Sequence, residues 1–136
     1  MDSDQIKHLE FIQSVITRLN TNSFQIKGWA ITIVAGVIAL SATLQNKFLL
    51  IIALFSVVLF WVMDGYCLSQ ERKFRGLYND VAGISDVRQK LKPFEMNPNL
   101  YKGGYFSFWR TLRAMTIWPI YLSILILIGI LCITNN

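Results

Sequence analysis

The chain has 136 residues, of which 54% are hydrophobic and 15% charged, and its mean hydropathy is +0.44. A chain of this length forms one domain, and a water-soluble domain of this size needs more polar surface than the composition supplies. The net charge of +5 comes from basic residues that flank apolar blocks, which favours anionic lipid headgroups as their partner and leaves nucleic acid or a nucleotide as the lesser alternative. We therefore predict an all-α integral membrane protein.

Residues 1–20 are predicted to form an amphipathic helix. Apolar side chains recur there at every third or fourth position, namely Ile6, Leu9, Ile12, Ile16 and Leu19. Such a helix lies on the membrane interface or packs on a partner helix. We expect no cleavable signal here, because the first apolar block follows this polar, periodic segment.

The polar residues 20–23 are predicted to end that helix and to cap a new one that starts near Ser23. Gln25 lies three positions after Asn22, which is the spacing of a capping box. The apolar segment 24–44 then predicts the first transmembrane helix. Its length corresponds to about 30 Å of helix, the thickness of the hydrocarbon core.

A second transmembrane helix is predicted over residues 48–68. Only residues 45–47 separate it from the first, so the two helices must form an antiparallel hairpin. Apolar residues continue at helical spacing beyond Leu68, which predicts that the second helix extends into the cytoplasm as part of a basic segment, 69–113. Gly83, together with Ser85 and Asp86, indicates a break and restart of the helix.

A third transmembrane helix is predicted over residues 115–134. Aromatic and basic residues precede it, as expected where a helix enters the headgroup layer. Trp118 and Pro119 lie in its first turns, where a proline is tolerated.

The basic residues predict the orientation in the membrane. Nine lysines and arginines lie between the second and third spans, three (Lys7, Arg18 and Lys27) precede the uninterrupted apolar run that begins at Gly28, and Lys47 alone lies in the turn. The positive-inside rule then places the N-terminus and segment 69–113 in the cytoplasm and the C-terminus outside. Cys67 and Cys132 fall at opposite ends of the membrane, so we predict two free thiols.

No catalytic, cofactor-binding or metal-binding motif is present in the sequence. The single histidine, His8, is predicted to be exposed on the polar flank of the first helix, and no zinc-protease, phosphate-loop or nucleophile-elbow spacing occurs. We expect no enzymatic activity, no cofactor and no metal site.

Asp64 interrupts an apolar run near the predicted inner end of the second span. An ionised carboxylate is costly there unless it reaches water or a partner. One interpretation is that Asp64 faces the bundle interior or a pore and pairs with Arg110 or Arg113. The other is that it is solvated at the interface and merely ends the span.

Small residues form one face of the first span. They are Gly28, Thr32, Gly36, Ala39 and Thr43, with Ala35 beside them. Small faces allow helices in a membrane to approach closely. The face could contact the second helix of the same chain, contact a second copy, or line a narrow pore with Thr32, Ser41 and Thr43.

Five basic residues are candidates for contact with lipid phosphate or a partner. They are Arg72, Lys73 and Arg75 at the inner end of the second helix, and Arg110 and Arg113 before the third. Glu71 precedes Arg75 by four positions, which predicts an ordinary ion pair along a helix.

Two stretches, residues 9–29 (LEFIQSVITRLNTNSFQIKGW) and 60–78 (FWVMDGYCLSQERKFRGLY), resemble the SLATT group of bacterial membrane proteins. The resemblance implies a homo-oligomeric effector of the bacterial inner membrane, pore-forming or membrane-disrupting, that acts with a soluble cytoplasmic partner in defence or nucleotide signalling. The third span departs from the simplest two-span plan of that group. Two alternatives remain: a membrane anchor or adaptor that recruits a soluble partner through 69–113, and an accessory subunit of a transporter.

Overall fold

The computed structural model describes residues 2–134, and every regular element in that range is helical. The four α-helices are α1 (Ser3–Leu44), α2 (Phe48–Ala82), α3 (Phe108–Leu112) and α4 (Trp118–Thr134), and two 3-10 turns, Pro98–Leu100 and Gly104–Phe106, precede α3. Helices α1 and α2 form a long antiparallel hairpin, while α3 and α4 pack along α2. The predicted all-α class is confirmed, and the predicted hairpin is present.

Helix α1 is uninterrupted, although the sequence predicted a break at residues 20–23. The polar side chains there find partners without leaving the helix: Thr21 Oγ1 donates to the Thr17 carbonyl oxygen at 3.0 Å, and Ser23 donates to Asp64. Their hydrogen-bonding capacity is therefore not used to cap a second helix. The prediction of separate helices over 1–20 and 24–44 was wrong in this respect, and residue 1 lies outside the described residues.

The N-terminal part of α1 packs on α2, beyond the apolar half of the hairpin. Ile12 and Ile16 are buried against Leu77 and Tyr101. Burial raises the pKa of the Tyr101 hydroxyl above its ordinary value, and the hydrogen bond it donates to Asp80 raises the pKa further. Of the two placements the sequence allowed for this amphipathic segment, packing on a partner helix is the one found.

The hairpin turn is closed by polar contacts rather than by glycine. Gln45 adopts a left-handed conformation (φ 51°) at the end of α1. Ser41 Oγ donates to the Asn46 carbonyl oxygen at 3.0 Å, and the Asn46 side chain accepts from the Phe48 amide at 3.0 Å. These bonds satisfy backbone groups that a helix end leaves unpaired.

Helix α2 ends where predicted, because Gly83 takes the left-handed conformation (φ 78°) that terminates many helices. The predicted restart does not occur, and residues 84–97 follow α2 without a helix. The side chain of Asp80 accepts from the Gln89 amide, so this stretch folds back on the end of α2.

Helix α4 begins at Trp118, three residues later than the predicted third span of 115–134. A helix that began at residue 115 would carry Pro119 as its fifth residue. The proline ring would then meet the carbonyl of residue 115, and a hydrogen bond would be lost. With the start at Trp118, Pro119 lies in the first turn, where its missing N–H costs nothing.

The half of the hairpin nearest the turn presents apolar side chains outward. Helices α1 and α2 are long and apolar enough to cross a membrane, and α4 is apolar but shorter, with 17 residues. A continuous exposed apolar surface marks contact with a membrane or another protein. The exposed apolar side chains include Trp29, Ile33, Leu40, Leu44, Phe48, Ile51, Phe55, Leu59, Ile126 and Ile130. Between the helices lies a core made of Ala30, Val34, Ala53, Val57, Ile117, Tyr121 and Ile128.

The continuity of α1 predicts that Asn22→Pro lowers the free energy of unfolding by about 3 kcal/mol, because proline lacks the N–H that an interior helical residue donates. The measurement is reversible unfolding in detergent micelles followed by circular dichroism. Asn22→Ala is the matched control and should cost nothing, since the Asn22 side chain is exposed. Equal stability of the two variants would indicate that a break exists at residues 20–23 after all.

Candidate functional site

The carboxylate of Asp64 is the centre of the only ion pair that joins two helices among residues 2–134. Asp64 is completely buried (0% exposed), and Lys27 Nζ lies 2.6 Å from its Oδ2 atom. Ser23 Oγ donates to Oδ1, and Tyr121 OH donates to Oδ2 at 3.1 Å. One carboxylate thus binds side chains from α1 and α4 while lying on α2.

The register of the hairpin positions this cluster. Lys27 lies 19 positions before Asn46 at the turn, and Asp64 lies 18 positions after it. Two antiparallel helices with nearly equal rise from one turn bring such positions to the same height. The ion pair therefore lies about 26 Å from the turn, at the end of the apolar half of the hairpin.

A buried carboxylate is tolerated only when it is paired and hydrogen-bonded. Asp64 meets both conditions, and Lys27 Nζ also donates to Ser23 Oγ at 2.8 Å. The Lys27 side chain is 19% exposed, so its ammonium group keeps some access to the surroundings. Within residues 2–134, every buried side-chain nitrogen and oxygen has a hydrogen-bond partner. The cluster is electrically neutral and acts as a clamp on α1, α2 and α4.

A second set of contacts holds α3 beside this clamp. Trp61 stacks on Tyr121 with a ring separation of 6.2 Å, and its Nε1 donates to the Leu112 carbonyl oxygen at 3.2 Å. Thr111 Oγ1 donates to the Gly65 carbonyl oxygen at 3.0 Å. A Cβ atom at position 65 would lie 2.5 Å from Leu112 Cδ2, so the Leu112 side chain would have to shift to admit a larger residue than glycine.

The sequence identified Asp64 but assigned it the wrong partner. Arg110 on α3 and Arg113 directly after it are exposed, and the cation that pairs with Asp64 is Lys27. The alternative of a solvated Asp64 was also wrong, because its side chain is fully buried. The reason is the hairpin register, which brings Lys27 to the height of Asp64 and leaves the arginines on the outer side of α3.

The small-residue face of α1 does not pack against α2. Gly28, Thr32, Gly36, Ala39 and Thr43 are all exposed, and a Cβ atom added at Gly28 or Gly36 would meet nothing within 4 Å. At about 100° per residue, these positions lie on the side of α1 opposite its buried residues. Contact with the chain's own second helix is therefore not observed, whereas contact between copies and pore lining stay predictions. Ser41, which was considered with them, is buried at the turn.

The three basic residues of α2 that the sequence offered as candidates, Arg72, Lys73 and Arg75, have different surroundings. Arg72 donates to the Tyr105 carbonyl oxygen at 3.2 Å and lies 4.4 Å from the centre of the Tyr105 ring. Arg75 pairs with Glu71 at 2.8 Å, which confirms the predicted ion pair along the helix. Lys73 is half-buried. Two of the three guanidinium or ammonium groups are thus engaged within the chain.

The end of the hairpin farthest from the turn carries a groove of about 420 Å³, lined in part by His8, Asp80 and Phe94. His8, predicted to be exposed, is buried: Nε2 lies 3.0 Å from the Glu95 carbonyl oxygen, and the Phe94 ring lies 5.6 Å from the imidazole. The stretch after Gly83 covers it, which helix periodicity alone did not indicate.

No group of His, Cys, Asp and Glu suited to a metal ion occurs in residues 2–134, and Cys67 and Cys132 are free thiols there.

Sequence reasoning missed Lys27, Ser23 and Tyr121. A signal for Lys27 was available, since its position relative to the turn mirrors that of Asp64. Ser23 was interpreted as a helix cap, although the same hydroxyl can equally serve a buried partner. Nothing in the sequence related Tyr121 to Asp64, because the path of residues 84–117 fixes where α4 packs.

No protein family, curated protein or solved structure matches this chain. The resemblance to the SLATT group therefore stays a prediction from the residues. The clamp itself offers no nucleophile or acid–base pair open to a substrate, because its carboxylate is fully buried. Its role in this geometry is to hold the helices together.

The clamp predicts an asymmetric response to removal of its two charges. Lys27→Met leaves an uncompensated buried carboxylate and should lower the free energy of unfolding by about 3–5 kcal/mol. Asp64→Asn should cost less, because the partly exposed lysine can extend to the surroundings. The double variant Lys27→Met/Asp64→Asn should recover most of the loss seen in Lys27→Met alone. Unfolding in detergent micelles measures all three, and additive losses would contradict the clamp.

The close contact of Gly65 with Leu112 predicts that Gly65→Ala lowers stability by about 1–3 kcal/mol through overpacking. In Gly65→Ala/Leu112→Ala the side chain that blocks the new methyl group is gone, so the double variant should lose less than the sum of the single losses. The same unfolding measurement with Leu112→Ala completes the cycle. A coupling energy of zero would place α3 away from Gly65.

Proposed function

We propose that this chain is a three-span membrane protein that works as a homo-oligomeric effector of the bacterial inner membrane. The N-terminal part of α1 and the segment from residue 69 to 113 lie in the cytoplasm, and the C-terminal end of α4 lies outside. The distribution of basic residues supports this orientation, because Lys47 alone lies at the turn.

The dimensions of the hairpin match one hydrocarbon layer. The Lys27–Asp64 pair lies about 26 Å from the turn, and the 17 residues of α4 extend about 26 Å from the same height. Both lengths approach the thickness of about 30 Å that a span must cross. We infer that α4 is a third span, with its Trp118 end at the level of the ion pair.

The interior of a single protomer offers no aqueous path in this arrangement. Ala30 and Val34 of α1 pack on Ala53 and Val57 of α2, and the single carboxylate between the helices is neutralised by Lys27. Any passage for ions would therefore have to form between copies of the chain. This favours an assembly of several copies over a channel within one copy.

The observation that carries the proposal is the outward orientation of the small-residue face of α1. In a bilayer, helix association depends on close packing rather than on hydrophobicity, and small residues permit close packing. Gly28 and Gly36 lie on the surface with nothing within 4 Å of an added Cβ, so a second copy can approach there. We propose a second copy as the occupant, with Thr32 and Thr43 either at the contact or beside a narrow pore.

The resemblance of residues 9–29 and 60–78 to the SLATT group adds a biological context to this proposal. It suggests that the assembly acts in defence or nucleotide signalling and answers to a soluble cytoplasmic partner. The cytoplasmic half of the hairpin would receive that signal, and the same two helices would carry it to the membrane.

The alternative of an anchor or adaptor that recruits a partner through the basic segment 69–113 has less support from the contacts. Arg72, Arg75 and Arg88 each bind a group within the chain. The segment also depends on α1, because Leu77 and Tyr101 are buried against Ile12 and Ile16. A docking role would have to be tested on the full chain.

The proposal predicts that Gly36→Leu weakens association of the full chain by at least about tenfold, since the larger side chain blocks close approach. Native mass spectrometry of the protein released from nanodiscs measures the number of copies, and membrane depolarisation during expression measures effector activity. Both should fall together in this variant.

Ala42→Leu is the matched control, because it adds the same kind of bulk at an exposed position of α1 beside the small-residue face. It should keep the copy number and activity of the parent chain. A monomer in the parent chain itself would contradict the oligomer and favour the anchor, and an unchanged Gly36→Leu assembly would move the contact to another face.

A further inference from the structure

The short helix α3 has two faces of opposite character. Phe108, Thr111 and Leu112 point inward, where Thr111 is fully buried and Leu112 contacts position 65. The outer face combines one large aromatic side chain, 74% exposed, with two exposed guanidinium groups, and the spacings of three and four place them together. They are Trp109 and Arg110 on α3 and Arg113 directly after its last residue, and Met115 follows with its side chain exposed.

Two hydrogen bonds fix the height of this face along the hairpin. Thr111 binds the Gly65 carbonyl oxygen, and Trp61 binds the Leu112 carbonyl oxygen. Both partners on α2 lie within one turn of Asp64, where the apolar half of the hairpin ends. On the placement proposed above, α3 therefore lies in the headgroup layer of the inner leaflet.

No nearby aspartate or glutamate is free to balance the positive charge of this face. The sequence contains no aspartate or glutamate after Glu95. The two acids nearest in height, Asp64 and Glu71, are already paired with Lys27 and Arg75. Arg110 and Arg113 thus present positive charge to whatever lies outside α3.

We propose that the outer face of α3 binds the headgroup of an anionic phospholipid. The planar guanidinium groups of Arg110 and Arg113 would bind phosphate oxygens through charge-assisted hydrogen bonds, for which arginine is better suited than lysine. Trp109 would lie at the glycerol level and Met115 against the acyl chains, as amphipathic aromatic and apolar side chains do at this depth. This inference rests on the membrane placement of the proposed function but not on the oligomer.

The test measures the apparent dissociation constant of phosphatidylglycerol for the full chain in nanodiscs of phosphatidylcholine, by native mass spectrometry of the lipid adducts. Arg110→Gln/Arg113→Gln removes two charges from the face. We expect binding to weaken about thirtyfold, at about fivefold for each base at a membrane surface. Lys90→Gln/Lys102→Gln is the matched control, since it removes two exposed charges elsewhere and should change binding less than about twofold.

Each outcome has one meaning for the inference. Loss of binding in the arginine variant alone supports the lipid site, and equal binding in both variants overturns it. Equal weakening in both variants also overturns it, because net charge rather than α3 would then attract the lipid. The copy number in the same spectra reports separately on the proposed oligomer. An unfolding temperature of the arginine variant equal to that of the parent chain confirms that its fold is intact.

Discussion

The packing of three apolar helices in this chain depends on one charge pair, Lys27 with Asp64. Apolar contacts between helices are weakly directional, because burial of apolar surface depends on its area and not on its orientation. A buried carboxylate is highly directional by comparison, because any slip of α1 along α2 separates it from its cation. Tyr121 extends the same constraint to α4. The pair therefore selects one register from several that apolar packing alone would permit.

Because Asp64 is paired with Lys27 inside the chain, contacts with other molecules must use other residues, on the surface. With Asp64 satisfied internally, two exposed surfaces with small or basic side chains remain. These are the small-residue face of α1 and the basic outer face of α3, which have no residue in common. The contacts proposed for a second copy and for a lipid headgroup therefore do not compete for the same residues.

Local signals in the sequence predicted the apolar helices, the tight hairpin, the end of α2 at Gly83 and the pairing of Glu71 with Arg75, because each depends on residues close in the chain. They failed where a distant partner decided the outcome. Ser23 favours a helix start by its own chemistry, but Asp64 takes its hydroxyl and the helix continues. The inward path of residues 91–96, which buries His8, likewise depends on contacts across the chain.

The continuity of α1 also has a mechanical meaning. A helix of 42 residues is a rod of about 63 Å, of which more than half projects beyond the ion pair. No hinge glycine or proline lies between Ser3 and Lys27. A tilt of about 5° about the Lys27–Asp64 pivot would move each end of such a rod by about 2–3 Å in opposite directions. The hairpin is in this sense a lever: a small displacement at the Ser3 end of α1 moves the end at the turn without a separate transmission element.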